Sequence, residues 1–416
     1  IRDQPRSRGL GDVYKRQLLS LFLIFFFLFF SKKFFDSFFT PFGIMSVSWL
    51  LPSLLTFLDP QWQLSDETWI LIIGSFLMFC WGCFLLSLKV KRKKFPKNIF
   101  FWKKEYLDKF IFILFLFGFL GFLINFFHLL LSGGMKIYLQ EGFRRAEKIF
   151  AFNPVSNYFY FLNMLILPLS FLRMSLYGKD FKNIFLAFFS FVFLLFHGIK
   201  GTILRSFLIS FFVLSLRKNK IYLRLIFLIS LLTFFTFTFV MVGRNIKNLS
   251  SSEISLKEIA LATFKRIYLY IAPNYANLQN ELLLRKNYLY GLDTFSPLIK
   301  LFSLNKIKIG KDIEYHLVDD RWRVGTYLRD YVVDFGIWGG ISAPFFIGIF
   351  SMWFFLKFTQ KPTQRNFLMY SVIASILALA FWFNSLFQIQ FIYFILIFYL
   401  SDFFKKYLKN AKKIKN

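Results

Sequence analysis

The chain is short of the residues that bind metals and carry redox chemistry, with two cysteines and three histidines in 416 residues. Cys80 and Cys83 stand together in the apolar run FCWGC, where two thiols read as helix packing rather than a redox pair. His128, His197 and His316 are scattered, which leaves too few ligands for a zinc site. No metal and no cofactor is therefore expected. Acidic residues are scarce too, 22 against 52 lysines and arginines, for a formal net charge of +30. The cations sit in short runs between apolar segments, as they do in the cytoplasmic loops of membrane proteins, so no nucleic-acid partner is expected. There is no internal repeat and no stretch suited to a separate soluble domain. What the chain has in excess is hydrophobic surface, 57% of residues and 66 phenylalanines. A soluble domain cannot hide that much, whereas a bundle of membrane helices can. Abundant Phe, Lys, Ile and Asn fit an AT-rich genome, and no function is read into the phenylalanines themselves.

The segment 1–17, IRDQPRSRGLGDVYKRQ, shares no character with the rest of the chain and reads as translated adapter or vector sequence, so it is set aside. Apolar runs then predict an all-α polytopic membrane protein of about eleven transmembrane helices. They fall near 18–30, 41–58, 68–88, 109–131, 155–174, 181–199, 202–216, 221–242, 333–357, 366–383 and 387–404, the first of them short for a full crossing. Between them, Lys32–Lys33, the loop KVKRKKFPKNIFFWKKEYLDK, the RMSLYGKDFK turn, RKNK, the KFTQKPTQR turn and the basic tail 405–416 all fall on one side, which assigns it to the cytoplasm, C-terminus included. The opposite loops include LDPQWQLSDET, without a basic residue, and the uncharged FNSLFQ. The domain plan is thus an N-terminal bundle over 18–242, one large extracytoplasmic loop over 243–332 and C-terminal helices over 333–404. Within the large loop, SSSEISLKEIALATFKRIYLYI reads as an amphipathic helix on the membrane surface, with Tyr268 and Tyr270 at the interface.

Several polar sets could carry chemistry. Arg244, Arg321, Arg323 and Arg329 lie on the extracytoplasmic side by this topology, and arginine offers a rigid, permanent fork for phosphate or carboxylate. Each alone also reads as a solvated loop cation, or as a partner of Asp319, Asp320, Asp330 or Asp334. In the hairpin FHGIKGTILRSF, Lys200 and Arg205 could face one anion, and Arg205 stands a turn inside an apolar segment, where a charge is costly. Snorkelling to the surface is the alternative for Arg205. Asp330, Asp334, Glu281 and Asp293 are candidate bases for a sugar hydroxyl, though Asp334, at the head of a membrane helix, equally suits a structural role. Tyr288, Tyr290, Trp322, Tyr327 and Tyr331 could stack on sugar rings or simply mark the membrane interface. No helix carries the row of buried carboxylates of a proton-coupled pump.

Three local patterns then resemble a known family. FFTPFGIMSVSWLLPSLL is a Pro-then-Trp early helix, HGIKGTILRSF is a basic glycine turn, and VGTYLRDYVVDFGIWGG opens a late helix. Together they resemble the oligosaccharide repeat-unit polymerases, the O-antigen polymerase type of bacterial envelope protein, over most of the chain after Gln17. Lys200 stands where that family often has arginine. The resemblance implies a metal-independent glycosyltransferase of the bacterial inner membrane, taking undecaprenyl-pyrophosphate-linked glycans on the extracytoplasmic face. It also implies membrane lipids, a flippase and a chain-length regulator as neighbours. Arg244, Arg323 and Arg205 would act on pyrophosphate, with Lys200, Arg321, Tyr327, Arg329, Asp330 and Asp334 binding substrate. A flippase would spread its basic residues through a central cavity, whereas these gather beside one long loop. An O-antigen ligase would share fold and chemistry and differ only in its acceptor.

Overall fold

The computed structural model describes residues 10–88, 94–133, 154–196, 200–244, 261, 264–265, 268–302, 314–319, 324–382 and 388–415. Among them the chain is helical with no strand, apart from one isolated bridge between Phe100 and Thr363. Among the described residues, six helices are long and apolar enough to cross a bilayer: Tyr14–Phe35, Pro41–Leu58, Asp66–Leu88, Lys104–Leu131, Val155–Tyr177 and Arg329–Gln360. The chain is therefore a helical membrane protein. In chain order the helices are α1 (Leu10–Phe35), α2 (Pro41–Leu58), α3 (Asp66–Leu88), α4 (Lys104–Leu131), α5 (Val155–Tyr177), α6 (Phe181–Phe196), α7 (Lys200–Lys218), α8 (Leu223–Arg244), α9 (Ala272–Leu284), α10 (Ser296–Phe302), α11 (Arg329–Gln360), α12 (Gln364–Ala378) and α13 (Ile389–Lys415). Each apolar run singled out in the sequence overlaps a helix, although the helix within 366–383 ends at Ala378 and 197–199 lie outside the described residues. α1 begins inside the segment set aside as foreign, and Arg16 of that segment pairs with Asp66. Most of the expected amphipathic helix near 250–271 lies outside the described residues.

The chain forms two compact units. The first holds 1–98, 267–362 and 376–392, and the second 99–266, 363–375 and 393–416. In the first, α3 and α11 lie side by side and parallel: Leu71 touches Gly340, and Phe79 and Cys83 touch Gly348. Glycine makes the approach possible. A Cβ on Gly82 would stand 2.1 Å from the Phe345 carbonyl oxygen, and one on Gly348 2.2 Å from that of Phe79. Small residues let membrane helices meet backbone to backbone, where dispersion rather than water exclusion holds them. Because the obstructing atoms are backbone, Gly348→Val is expected to part α3 from α11. The cost should be about 1–3 kcal/mol or more, read as a lowered Tm of the purified protein in detergent. An unchanged Tm would show that the contact is loose.

α2 is broken for a local reason. Thr40 caps it, its Oγ1 accepting the Gly43 N–H at 3.2 Å, and Pro41 starts it. Pro52, lacking an N–H, cannot complete the ladder, and the turn before it, Ser46–Leu50, widens to π geometry. Trp49, in the widened turn, is tied to both neighbouring helices. Tyr275 of α9 donates its hydroxyl to the Trp49 carbonyl at 2.8 Å, and the Trp49 indole donates to the Ile72 carbonyl at 3.0 Å.

The second unit packs α4, α5, α6 and α7. Phe122 stacks on Phe193 at 4.3 Å, and Asn163 donates to the Gly118 and Tyr160 carbonyls at 3.0 and 2.8 Å. At one end Arg173, 1% exposed, holds Asp108 (2.7 Å), Asp180 (3.2 Å) and the Gly178 carbonyl (2.9 Å). That single guanidinium ties the start of α4 to the turn between α5 and α6.

Candidate functional site

α11 is two helical pieces joined at Gly336, whose φ of 65° and ψ of −154° lie outside helical space. Such a backbone suits glycine alone, and any side chain there would also meet the Tyr288 hydroxyl. The break divides a short piece, Arg329 to Phe335, from a long piece that runs on to Gln360. Beside it runs the stretch 288–294, turned tightly through Tyr290 (φ 50°) and Gly291 (φ 97°). Leu289 and Tyr290 donate their N–H groups to the Val333 and Asp334 carbonyls at 3.3 and 3.1 Å. Asp334 completes the join. Its two carboxylate oxygens accept the N–H groups of Asp293 (3.0 Å) and Thr294 (2.7 Å), and it is wholly buried. Its part in this structure is to fix the 288–294 turn against α11.

That turn presents Asp293. One oxygen accepts the Tyr315 hydroxyl at 2.8 Å, and the other, buried, has no hydrogen-bond partner. Burial lifts the Asp293 carboxyl above the usual carboxylate range. The Tyr315 bond and the Arg329 and Arg285 charges oppose the rise, and Asp334 adds to it. Burial, with the charge of Asp293 behind it, likewise pushes the Tyr315 phenol upward. The Arg329 guanidinium lies over the Tyr315 ring at 4.3 Å and stands 3.7 Å from Asp330. One tyrosine thus bridges an arginine and a carboxyl of raised proton affinity. Tyr290, in the same turn, is 81% exposed. A cation for a departing anion and a carboxyl for a proton are what glycosyl transfer from a pyrophosphate needs.

The predicted site residues divide between the two units. Arg329, Asp330 and Asp334 come together in the first. Tyr327 lies in that unit's interior, 5% exposed, its ring edge-on to Trp49 at 4.8 Å, and its N–H donates to the Ala380 carbonyl at 2.9 Å. It is packing in this arrangement rather than an open sugar platform. Arg205 is a buried residue of α7 in the second unit, 8% exposed. Lys200 begins α7 and Arg244 ends α8, their side chains outside the described set. Arg321 and Arg323 lie outside the described residues. Glu281 is held by Arg285 (2.7 Å) and accepts the His316 N–H (2.7 Å), a closed structural pair. Tyr315 was not legible beforehand: nothing in IEYHLV distinguishes it from an interfacial aromatic. The Gly-Leu-Asp-Thr turn at 291–294 was the available signal for Asp293. Comparison with protein-family models, with curated proteins and with solved structures finds no match to this chain.

Proposed function

We propose that the protein joins lipid-linked oligosaccharide repeat units into a surface polysaccharide, as a metal-independent glycosyltransferase on the extracytoplasmic face of a bacterial inner membrane. The observation that carries the reading is the pairing of Arg329 with Asp293 through Tyr315 at the broken head of α11. The reading takes all eleven apolar helices as spans, the stretch between α8 and α11 as extracytoplasmic and the C-terminus as cytoplasmic. Charge alternation between the helices supports that topology, as does the parallel run of α3 and α11, which fits both entering from one face.

In this mechanism a hydroxyl of one undecaprenyl-pyrophosphate-linked unit attacks the anomeric carbon of the glycan carried by another. The new carbon–oxygen bond forms as the bond to pyrophosphate breaks. The hydroxyl proton passes to the Asp293 carboxylate, and undecaprenyl pyrophosphate leaves with the bonding electrons. Arg329 holds the departing negative charge, with Arg321 and Arg323 as further cations of the same stretch of chain. Arg244, Arg205 and Lys200, residues of the second unit, are the other cations that this reading assigns to pyrophosphate. A flippase and a chain-length regulator are the expected neighbours.

Deletion of the gene, followed by gel display of surface glycan and analysis of lipid-linked intermediates, tests the reading. It expects single repeat units on the outer side and no long chains. Units trapped on the cytoplasmic side would instead mark a flippase, and long chains left on their lipid would mark a ligase. Within the same assay, Arg323→Ala is expected to abolish long glycan with normal protein in the membrane. Unchanged chain lengths would remove Arg323 from the site.

A further inference from the structure

The turn from α7 to α8 reads RKNKIYLR, Arg217 to Arg224. α7 ends where Asn219 takes a φ of 47°, with the Asn219 and Lys220 N–H groups donating to the Leu216 and Ser215 carbonyls at 3.2 and 3.1 Å. α8 restarts at Leu223, so the chain reverses within a few residues, and Arg217, Lys218 and Arg224 border one concavity. A cleft of about 390 Å³ opens there. It is lined by Ser175, Leu214, Arg217, Lys218, Tyr222, Arg224 and Leu228, and its wall is almost wholly hydrocarbon, the stems of the cationic side chains included. Among the described residues, no carboxylate lies within ion-pair distance of Arg217, Lys218 or Arg224. Elsewhere in the same unit Arg173 gathers two carboxylates around one guanidinium, so the lack here is a property of this cleft.

Three cationic side chains border one apolar concavity, and long basic side chains with hydrocarbon stems can turn their heads to an anion at its mouth. The apolar wall decides which anion. Leu228 is 49% exposed, and Leu223 and Phe227 continue an outward apolar face at 77% and 70%. An inorganic anion would use the charges and leave the hydrocarbon wall unused, whereas a phospholipid matches both. The basic loops put this turn at the cytoplasmic surface, where anionic lipids concentrate.

We propose that this cleft is a binding site for an anionic membrane phospholipid, its phosphate held by Arg217, Lys218 and Arg224 and an acyl chain laid along Leu214 and Leu228. The site rests on the topology of the proposed function and not on its glycosyl-transfer chemistry. The test is native mass spectrometry of the purified full chain titrated with dioleoylphosphatidylglycerol or dioleoylphosphatidylcholine. The wild type should bind the anionic lipid at least tenfold more tightly, and Arg217→Gln with Arg224→Gln should remove that preference. Leu228→Trp keeps every cation and fills the chain groove, and it should weaken phosphatidylglycerol at least tenfold. It also decides the matter if the double variant fails to fold. Equal binding of the two lipids by the wild type, or unchanged phosphatidylglycerol binding by Leu228→Trp, would overturn the proposal. Displacement of phosphatidylglycerol by millimolar inorganic phosphate would overturn it too, by showing a site for a free anion.

Discussion

Asp293→Asn is expected to reduce polymer formation by about 100-fold or more, the usual contribution of a positioned general base. The same variant should be no less stable than the wild type at neutral pH. Both halves rest on the burial of the carboxyl. An asparagine keeps an oxygen to accept the Tyr315 hydroxyl, and it removes a charge that burial and Asp334 disfavour. Proton counting gives the sign. With the folded carboxyl raised, the folded state holds more protons than the unfolded state between the ordinary carboxylate range and the raised value. Stability therefore falls as pH climbs through that window, and above it the full penalty of the buried charge is present. The Asn variant should lack this decline in a Tm-against-pH series. Loss of polymer with retained stability separates a functional carboxyl from a structural one. Normal polymer in the variant would take Asp293 out of the chemistry, and a lower Tm would make it a packing residue.

Arg173→Ala should be the most damaging single change to the fold of the second unit, by about 2 kcal/mol or more. The guanidinium is 1% exposed and satisfies Asp108, Asp180 and the Gly178 carbonyl together. Removing it leaves two like charges facing a vacated buried position. The loss is smaller than for a wholly buried pair, because Asp108 and Asp180 keep 22% and 37% of their side-chain exposure. Arg173→Lys should recover part of the loss, since a lysine keeps the charge but not the two-pronged contact with Asp108. Thermal unfolding in detergent reads the order wild type, then Lys, then Ala. An Ala variant with unchanged Tm would show that the cluster carries no stability.

The helices were readable because a crossing is declared by the length of an apolar run, and that needs no knowledge of neighbours. The Pro41 start of α2 could be read as well, since proline acts on its own backbone, whereas the break at Gly336 falls inside a run, 333–357, that the sequence reads as one helix. What also escaped reading was polar burial. APNYANLQNELLL has no long apolar run, yet as α9 it is buried over Ala272 to Leu278. It can be so because its polar side chains meet distant backbone groups. Asn274 donates to the Phe381 carbonyl (3.2 Å), and Asn277 bonds the Val324 carbonyl (2.8 Å) and the Val318 N–H (2.9 Å). Those partners lie 41 or more residues away, where no local pattern reaches. Arg173 escaped for the same reason, reading as one more basic loop residue until Asp108 stood beside it. At the candidate site, the arginines and acidic residues were visible one by one. Which carboxyl would be held half-satisfied near a cation depended on Tyr315 and on the Asp334 join, both long-range features.

The most direct measurement is made with the purified protein in liposomes supplied with undecaprenyl-pyrophosphate-linked single repeat units. The account predicts conversion of single units into lipid-linked chains of two, three and more, with release of undecaprenyl pyrophosphate and no need for added metal. It further predicts that Asp293→Asn liposomes keep the single units. Single units carried across the bilayer without joining would contradict it, and so would chains that Asp293→Asn forms at the wild-type rate.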